Sequence, residues 1–302
     1  MANTLTNITE TMVQDEVLEA LKLGLTPLNA FSFMPSDTPS NVGDIVRVPL
    51  AAAKTAGSYS STFESGDSTT TSAAVTMAAP VFSSWYVNPN LEAKSDAERF
   101  LSQGREAAYA VAKNVVQAVL AKFVAANIGD VADTDKKVVA SANYDVDDQA
   151  DLWSLIKTKG VRGNISAIHA IDYAAALLKD AALQDRSASG SDVLMTGELP
   201  SILGARQFYT DAFPTAVTSE NTGVIYTGKT AAAIAMTVPN VVDADIQAGA
   251  GVNIQTITDP DTGISLQWRT WMNTATGAYW GSVVAMYGVA FVQDAAVRIV
   301  SA

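Results

Sequence analysis

The sequence contains no cysteine and only one histidine. Without cysteine the chain forms no disulfide, thiolate zinc site or iron–sulfur cluster, and it has no cysteine nucleophile. The single histidine, His169, excludes any metal site that needs two imidazole ligands, although it leaves one general base available. The amino-acid composition therefore removes several classes of enzyme and metalloprotein before any motif is considered.

Charged residues are also scarce. They make up 17% of the 302 residues, whereas an ordinary soluble domain has about 25%. Acidic residues outnumber basic ones by 31 to 19, so the formal net charge is −12. This charge does not suit a protein that grips phosphate backbones over a broad face. A surface with so few charges is either rich in small polar residues or covered by other copies of the chain.

Long apolar runs are absent as well. The N-terminal residues have neither a basic segment nor an apolar core, so a cleaved secretory signal is not expected. The longest apolar stretch, from Ala278 to Val292, is too short for a bilayer-spanning helix and is rich in aromatic and β-branched residues. We predict a pair of strands there, and we expect no membrane partner.

The N-terminal part of the chain predicts a thin arm followed by a long loop. Apolar residues at helical spacing predict a short helix over about 9–23 of an arm formed by residues 1–43. Three prolines argue against regular structure in the rest of this arm, which is expected to lie on something else. Residues 44–50 and 78–88 alternate as strands, and a stretch rich in Ser and Thr separates them. We interpret residues 44–90 as a protruding two-stranded loop.

The strongest local signal is a long helix. Ser95 and Glu98 form a capping-box pattern, and an apolar stripe at helical spacing follows. The pattern predicts one helix over 96–128, in which Gly104 is a weak point but not a certain break. After residue 130, short helical and strand patterns alternate, and strands return from Ile264 onward. We expect these final strands to form a sheet that packs on the long helix.

The segment GVIYTGKT matches the phosphate-binding P-loop pattern through Gly223, Gly228, Lys229 and Thr230. A phosphate-binding loop needs a strand before its first glycine and a helix after its lysine. Here strand-forming residues occupy the loop positions themselves, and the following AAAIAM allows only about two helical turns before Pro239. We interpret the match as a strand ending in a turn, and a nucleotide-binding enzyme as the less favoured alternative.

The remaining polar clusters do not indicate catalysis. The aspartates in loops lack the twelve-residue calcium pattern with its closing Glu, so we expect them to cap helices and occupy solvated turns. His169 lies in an apolar strand without a recognised nucleophile motif, and we expect it to be packed in the core. The sequence therefore predicts no catalytic residue, no metal site and no cofactor, and the protein is not expected to be an enzyme.

The order of these parts resembles the major capsid proteins of tailed phages, which have the Hong Kong 97-like fold. Four phrases also look like family patterns: NISAIHAIDYAAALLKD, LPSILGARQFYTDAFP, GVIYTGKTAAAIAM and GVAFVQDAAVRIVSA. By this resemblance GVIYTGKTAAAIAM would be a strand followed by a short helix. The resemblance implies an α+β fold with an N-terminal arm, an extended loop, a peripheral domain with a long spine helix, and an axial α/β domain. The implied ranges are 1–43 for the arm, 44–90 for the loop, 91–130 with 264–302 for the peripheral domain (spine helix about 96–128), and 131–263 for the axial domain.

By this resemblance the chain would be a coat protein that self-assembles through pentamers and hexamers. The product would be an icosahedral phage head, assembled in the host cytoplasm, that encloses double-stranded DNA without sequence-specific binding. Expected partners are other copies of the chain, a separate scaffolding protein or none, and portal and decoration proteins. An encapsulin-like compartment, which would enclose enzymes instead of a genome, remains the nearest alternative.

Six residues are candidates for contacts between subunits: Lys54, Tyr59, Phe63 and Glu64 in the loop, and Arg99 and Arg105 on the helix. Some relatives join a loop lysine to an asparagine of the peripheral domain, with a nearby Glu as the base. Lys54 and Asn273 could form such a pair, but residues 221–302 contain no Glu. We therefore expect no covalent crosslink of this kind.

Overall fold

The structure is a computed structural model that describes residues 10–50, 71–87, 96–128, 134–161, 163–184, 199–214, 221–241, 251–292 and 295–301. The helices are α1 (Glu10–Gly24), α2 (Asp96–Leu120), α3 (Ala125–Ile128), α4 (Val146–Thr158), α5 (Ile171–Leu178) and α6 (Ala181–Gln184). Short 3-10 helices lie at Thr26–Ala30 and Ser141–Asn143.

The strands form two sheets and a hairpin. They are β1 (Ser32–Pro35), β2 (Ile45–Leu50), β3 (Thr71–Thr76), β4 (Val81–Val87), β5 (Lys136–Val138), β6 (Ile165–Ala170), β7 (Ala205–Thr210), β8 (Asn221–Gly228), β9 (Ala232–Thr237), β10 (Val252–Thr258), β11 (Ser265–Asn273), β12 (Ala278–Phe291) and β13 (Ala296–Ser301). A six-stranded sheet has the order β1-β9-β12-β11-β10, and β4 also pairs with β12. A five-stranded sheet has the order β5-β13-β8-β6-β7, and β2 pairs with β3.

The main core lies between α1, α2 and one face of the six-stranded sheet, which we call the inner face. Trp85 and Trp268 point into this core, and their rings lie 5.4 Å apart. Gly104 of α2 sits directly against them, because a Cβ there would lie 3.1 Å from both the Trp85 ring and Val17 of α1. The glycine that is a weak point in the helical pattern thus allows α2 to pack closely on both α1 and the sheet.

The five-stranded sheet is covered on one side by α4 and α5. Leu152 and Ile156 of α4 and Leu177 of α5 are fully buried against it. Its other face contributes Ile168 and Ile225 to the main core. The two sheets therefore share one continuous apolar interior.

The arm contains more regular structure than its prolines suggest. After α1 the chain forms a 3-10 helix and then β1, which pairs with β9 in parallel. Val17 and Leu21 of α1 are fully buried in the main core. The described part of the arm therefore packs on its own chain. Pro35 is tolerated because it ends a strand at the edge of the sheet.

The predicted helix over 96–128 is two helices. α2 ends at Leu120, and α3 follows after a turn. Within this turn Phe123 points into the core, where its ring lies 5.2 Å from that of Phe31 and 5.6 Å from that of Phe291. The helix is interrupted by this packing and not by glycine or proline, so helical periodicity alone does not show the break.

Three strand predictions need correction. β2 pairs with β3, whereas the predicted return strand over 78–88 forms β4 and pairs with β12. The segment AAAIAM forms most of β9 instead of a short helix. The stretch from Ala278 to Val292 holds one 14-residue strand instead of a pair, because β4 and β11 pair with its first half and β9 with its second.

Sheet membership also crosses the boundary predicted at residue 264. β9 and β10 belong to the range given to the axial domain, yet they pair within the six-stranded sheet. β13 belongs to the range given to the peripheral domain, yet it pairs with β5 and β8. The division of the chain into arm, loop, peripheral and axial domains stays a prediction.

Candidate assembly surface

Side chains alternate between the two faces of a strand, so the six-stranded sheet has an outer face opposite α2. The hairpin of β2 and β3 covers one end of this outer face. Val48 and Val75 of the hairpin pack on Ala235 and Met286 of the sheet. The hairpin touches the backbone of β12, because a Cβ at Gly288 would lie 2.4 Å from the carbonyl oxygen of Thr76. Only glycine allows this approach.

The other end of the outer face carries a row of aromatic side chains across three strands. Tyr86 on β4 is opposite Trp280 on β12, and Trp280 is opposite Trp271 on β11. The Tyr86 and Trp280 rings are 4.8 Å apart, and the two tryptophan rings stack at 5.8 Å with an angle of 9° between their planes. We call Tyr86, Trp280 and Trp271 the aromatic row.

The β4 end of this surface is the most exposed. Tyr86 is 53% exposed, and Phe82, which lies four residues away on the same face with Ser84 between them, is 66% exposed. Single exposed apolar side chains are common, but a contiguous group of them indicates an interaction site. The aromatic row is such a group, and together with Phe82 on the same face it is our candidate for a contact between subunits.

The predicted contact residues are only partly described. Lys54, Tyr59, Phe63 and Glu64 lie outside the described residues. Arg99 is exposed near the beginning of α2.

Arg105 lies further along α2, and its guanidinium is 3.7 Å from the Glu16 carboxylate of α1 in the same chain. An exposed pair at this distance contributes little stability. The role of all six residues in assembly stays a prediction.

Sequence reasoning missed the aromatic row. The signal was available in β4, where Trp85 and Val87 are buried and the alternate positions Phe82, Ser84 and Tyr86 form a second, uncovered set. Two aromatic residues out of phase with the core positions of a strand indicate that its other face also takes part in packing.

The P-loop-like segment is a strand throughout most of its length. β8 continues from Asn221 to Gly228, and β9 follows after a short turn that contains Lys229 and Thr230. A Cβ at Gly223 would lie 2.0 Å from the Tyr173 ring, and one at Gly228 would lie 2.6 Å from Val161. These glycines allow close packing, and the segment does not have the loop and following helix that bind phosphate.

His169 is fully buried in the five-stranded sheet, as its apolar strand predicts. Its Nε2–H donates to Gln207 Oε1 at 2.6 Å, and its Nδ1 is 3.5 Å from the Tyr144 hydroxyl. Burial lowers the pKa of His169 to about 4, although the hydrogen bond to Gln207 opposes the shift. The imidazole is therefore neutral near pH 7 and serves as a hydrogen-bonding core residue.

Three of the described loop aspartates act in a cap or a turn. Asp145 and Asp148 form a reciprocal capping box at the beginning of α4. Asp259 accepts a hydrogen bond from the Thr262 amide and pairs with Lys22 at 2.9 Å. Within the described ranges no three His, Asp or Glu side chains lie close enough together to hold a metal ion. None of the helices in those ranges has the length and apolarity to cross a membrane.

Several solved phage structures have a similar fold. The capsid of cyanophage P-SCSP1u matches with a TM-score of 0.53 and 12% identity over 90% of this chain and 87% of that chain. The capsid of Ralstonia phage GP4 matches with a TM-score of 0.52 and 12% identity over 90% and 86% of the two chains. A structure from Mycobacterium phage Ogopogo matches with a TM-score of 0.51 and 13% identity over 89% and 90%.

These matches identify the fold at a level where sequence similarity has been lost. No protein-family profile matches the sequence, and no curated protein matches it either. The chain nevertheless has the fold of tailed-phage major capsid proteins, which is the resemblance drawn from the order of its elements.

Proposed function

We propose that this protein is a major capsid protein whose copies assemble into a closed icosahedral shell around double-stranded DNA. The observation that carries the proposal is the extent of the fold match, which spans 90% of this chain and 87% of the cyanophage capsid chain.

The surface supports the proposal. Phe82, Tyr86 and the two tryptophans of the aromatic row make an uncovered apolar area on one face of the sheet. Permanent interfaces between subunits have apolar centres enriched in aromatic residues. In a closed symmetric assembly every such area finds a complementary area on another copy. The scarcity of charged residues fits a surface that assembly covers.

The parts of the fold then take distinct roles. We assign α2 to the spine helix, the five-stranded sheet with α4 and α5 to the axial domain, and the β2–β3 hairpin to the base of the extended loop. Arg99 and Arg105 remain candidates for contacts between subunits. The mature shell would be the head of the virion, and its other partners would be portal, decoration and scaffolding proteins.

The negative charge supports enclosure of DNA without tight binding. The net charge is −12 per chain, and an inner wall lined by acidic residues would repel the DNA phosphates within a Debye length of about 10 Å. Packaged DNA would then slide along the wall instead of adhering to it.

Sedimentation and negative-stain electron microscopy of the purified protein test this function. We expect pentamers, hexamers or shells, formed alone or with a scaffolding protein, and nucleic acid as the natural content. A stable monomer at high concentration would contradict the proposal. Tethered enzymes inside the shells would instead favour an encapsulin-like compartment. Lys229→Ala is the matched control, since it should leave assembly unchanged if the P-loop-like segment has no functional role.

A further inference from the structure

β4 is an edge strand that lacks the usual features that prevent pairing with a strand of another chain. It pairs with β12 on one side, and within the described part of the chain its other side has no hydrogen-bonding partner. In an antiparallel ladder alternate residues direct their N–H and C=O groups away from the partner strand. Natural edge strands are usually protected by a charge, an internal proline or a bulge. The sequence VFSSWYV contains no charge and no proline, and its register with β12 is regular.

A groove follows this edge on the side of α2. It has a volume of about 360 Å³, and its lining includes Ser83, Ser84 and Trp85 of β4 and Gln103 of α2. Trp85 Nε1 and Gln103 Oε1 are buried and have no hydrogen-bonding partner among the residues that the structure describes. Buried polar atoms almost always have a partner, so a donor and an acceptor without one at the same edge indicate that a further polar group belongs there.

The strand is complementary to itself. When a second copy of VFSSWYV is laid antiparallel with Ser84 opposite Ser84, Phe82 lies opposite Tyr86 on the outer face. Ser83 lies opposite Trp85 on the inner face. Val81 lies opposite Val87. Aromatic cross-strand pairs stabilise a sheet, and no two like charges meet.

We propose that β4 pairs with β4 of a second copy across a two-fold axis that passes through Ser84. The pairing joins two six-stranded sheets into one continuous sheet and covers Phe82 and Tyr86 of both copies. A two-fold contact requires such a self-complementary surface. The inference rests on the proposed function, because it assigns one interface of the assembly.

The area that this contact buries indicates whether it can form outside the shell. With exposures of 66% for Phe82 and 53% for Tyr86, the four rings bury roughly 500 Å² if each side chain offers about 200 Å². A stable interface buries about 1,200 Å² or more. The contact alone is too small to hold a dimer in dilute solution, and it forms together with the other contacts of the shell.

The absence of cysteine makes a direct test possible. Ser84→Cys places one thiol opposite its own copy, where antiparallel pairing gives a Cα–Cα distance of about 4.5–5.5 Å, within the range of a disulfide. We expect assembled Ser84→Cys protein to give a dimer under mild oxidation, visible on a non-reducing gel and lost on reduction. Ser84 is exposed, so the variant should fold.

Phe82→Cys is the matched control. In the proposed register its two copies lie roughly 13 Å apart along the strands, so the variant alone should stay monomeric on the gel. Assemblies that contain both Phe82→Cys and Tyr86→Cys chains should give the dimer, because these positions are opposite each other. A dimer from Phe82→Cys alone or from Ser83→Cys alone would contradict the register and overturn the proposal.

Two further results separate this inference from the proposed function. If shells form normally but Ser84→Cys gives no dimer, the β4 pairing is overturned and the function is left intact. The same holds if Ser84→Cys forms a disulfide only with a cysteine placed within residues 51–70 of another copy. A protein that never forms shells would contradict the function, and a Ser84 dimer in such a protein would contradict the pairing as a contact that forms only within the shell. Ser84→Lys, which places like charges on the axis, should abolish assembly, and Ser84→Thr should preserve it.

Discussion

The six-stranded and five-stranded sheets bury different kinds of side chain. Against α2, the six-stranded sheet buries Trp85 and Trp268, whose rings meet each other and that of Phe100 at 5.3–6.3 Å. The five-stranded sheet buries His169 between polar neighbours, and there the Tyr226 hydroxyl also donates to Gln149 at 2.5 Å.

This difference predicts two modes of failure. Contacts between apolar rings are largely non-directional and do not titrate. The six-stranded sheet should therefore lose stability when a large buried side chain is replaced by a small one. A buried polar network depends on each partner and on the neutral form of the histidine, so the five-stranded sheet should fail when a proton is added. The predictions below test this contrast from the largest expected effect to the smallest.

Trp268→Ala should destabilise the six-stranded sheet most. Trp268 is 1% exposed, and removing a buried tryptophan costs about 3–5 kcal/mol in the free energy of unfolding. Chemical denaturation of the subunit measures this loss. Trp271→Ala on the outer face is the matched control, and its cost should be clearly smaller because its side chain is only partly buried. Equal losses would show that the outer face is covered within the subunit.

The pH dependence of stability should come from the other sheet. The pKa of His169 is about 4 in the folded protein and 6.5 in the unfolded chain. As pH falls below 6.5 the unfolded chain takes up the proton first, so folding stability decreases until about pH 4 and then becomes constant with respect to this group. The maximum loss is about 3 kcal/mol.

His169→Gln isolates this contribution. Carboxylates such as Asp211, whose pKa is lowered chiefly by a hydrogen bond from Lys113, also lose stabilising contacts in acid. They do so equally in both proteins, so the difference between the two pH profiles belongs to His169. Hydrogen exchange should show that opening of the five-stranded sheet increases more between pH 7 and pH 4.5 in the wild type than in His169→Gln. Identical pH profiles would show that His169 is not desolvated as the structure indicates.

The fold class and the helix of the arm could be predicted from the sequence, because they depend on hydrophobic periodicity. The strand at 165–170 also follows a local pattern that the structure preserves. The capping box predicted at Ser95 lies outside the described residues. The candidate assembly surface could not be predicted, because it depends on which strands pair in the sheet. Nothing in the local sequence shows that β4 joins β12, and without that pairing the aromatic row does not exist.

The errors share one physical cause, which is long-range packing that overrides local preference. The alanines of β9 favour a helix, yet all six of its residues are buried between β1 and β12. Their small side chains also let the β2–β3 hairpin pack close to the sheet. Gly288 resembles a strand break in the sequence, but in the structure it allows β12 to continue beneath Thr76.

The smallest effect in this series compares one glycine from each sheet. A Cβ at Gly281 would lie 2.7 Å from the Trp85 ring, and one at Gly223 would lie 2.0 Å from the Tyr173 ring. Overpacking of this kind costs about 1–3 kcal/mol. Gly223→Ala should cost more than Gly281→Ala, because the displaced tyrosine also loses the 2.7 Å hydrogen bond from its hydroxyl to the carbonyl of Val139.

Tyr173→Phe tests that explanation through a double-mutant cycle. In the wild type this substitution should cost about 1 kcal/mol, the usual contribution of one hydrogen bond. In the Gly223→Ala background it should cost almost nothing, because the displaced ring has already lost the bond. Additive costs in denaturant titrations would mean that the ring keeps its hydrogen bond. The clash would then be relieved by the backbone of β8, and the two sheets would respond to overpacking in the same way.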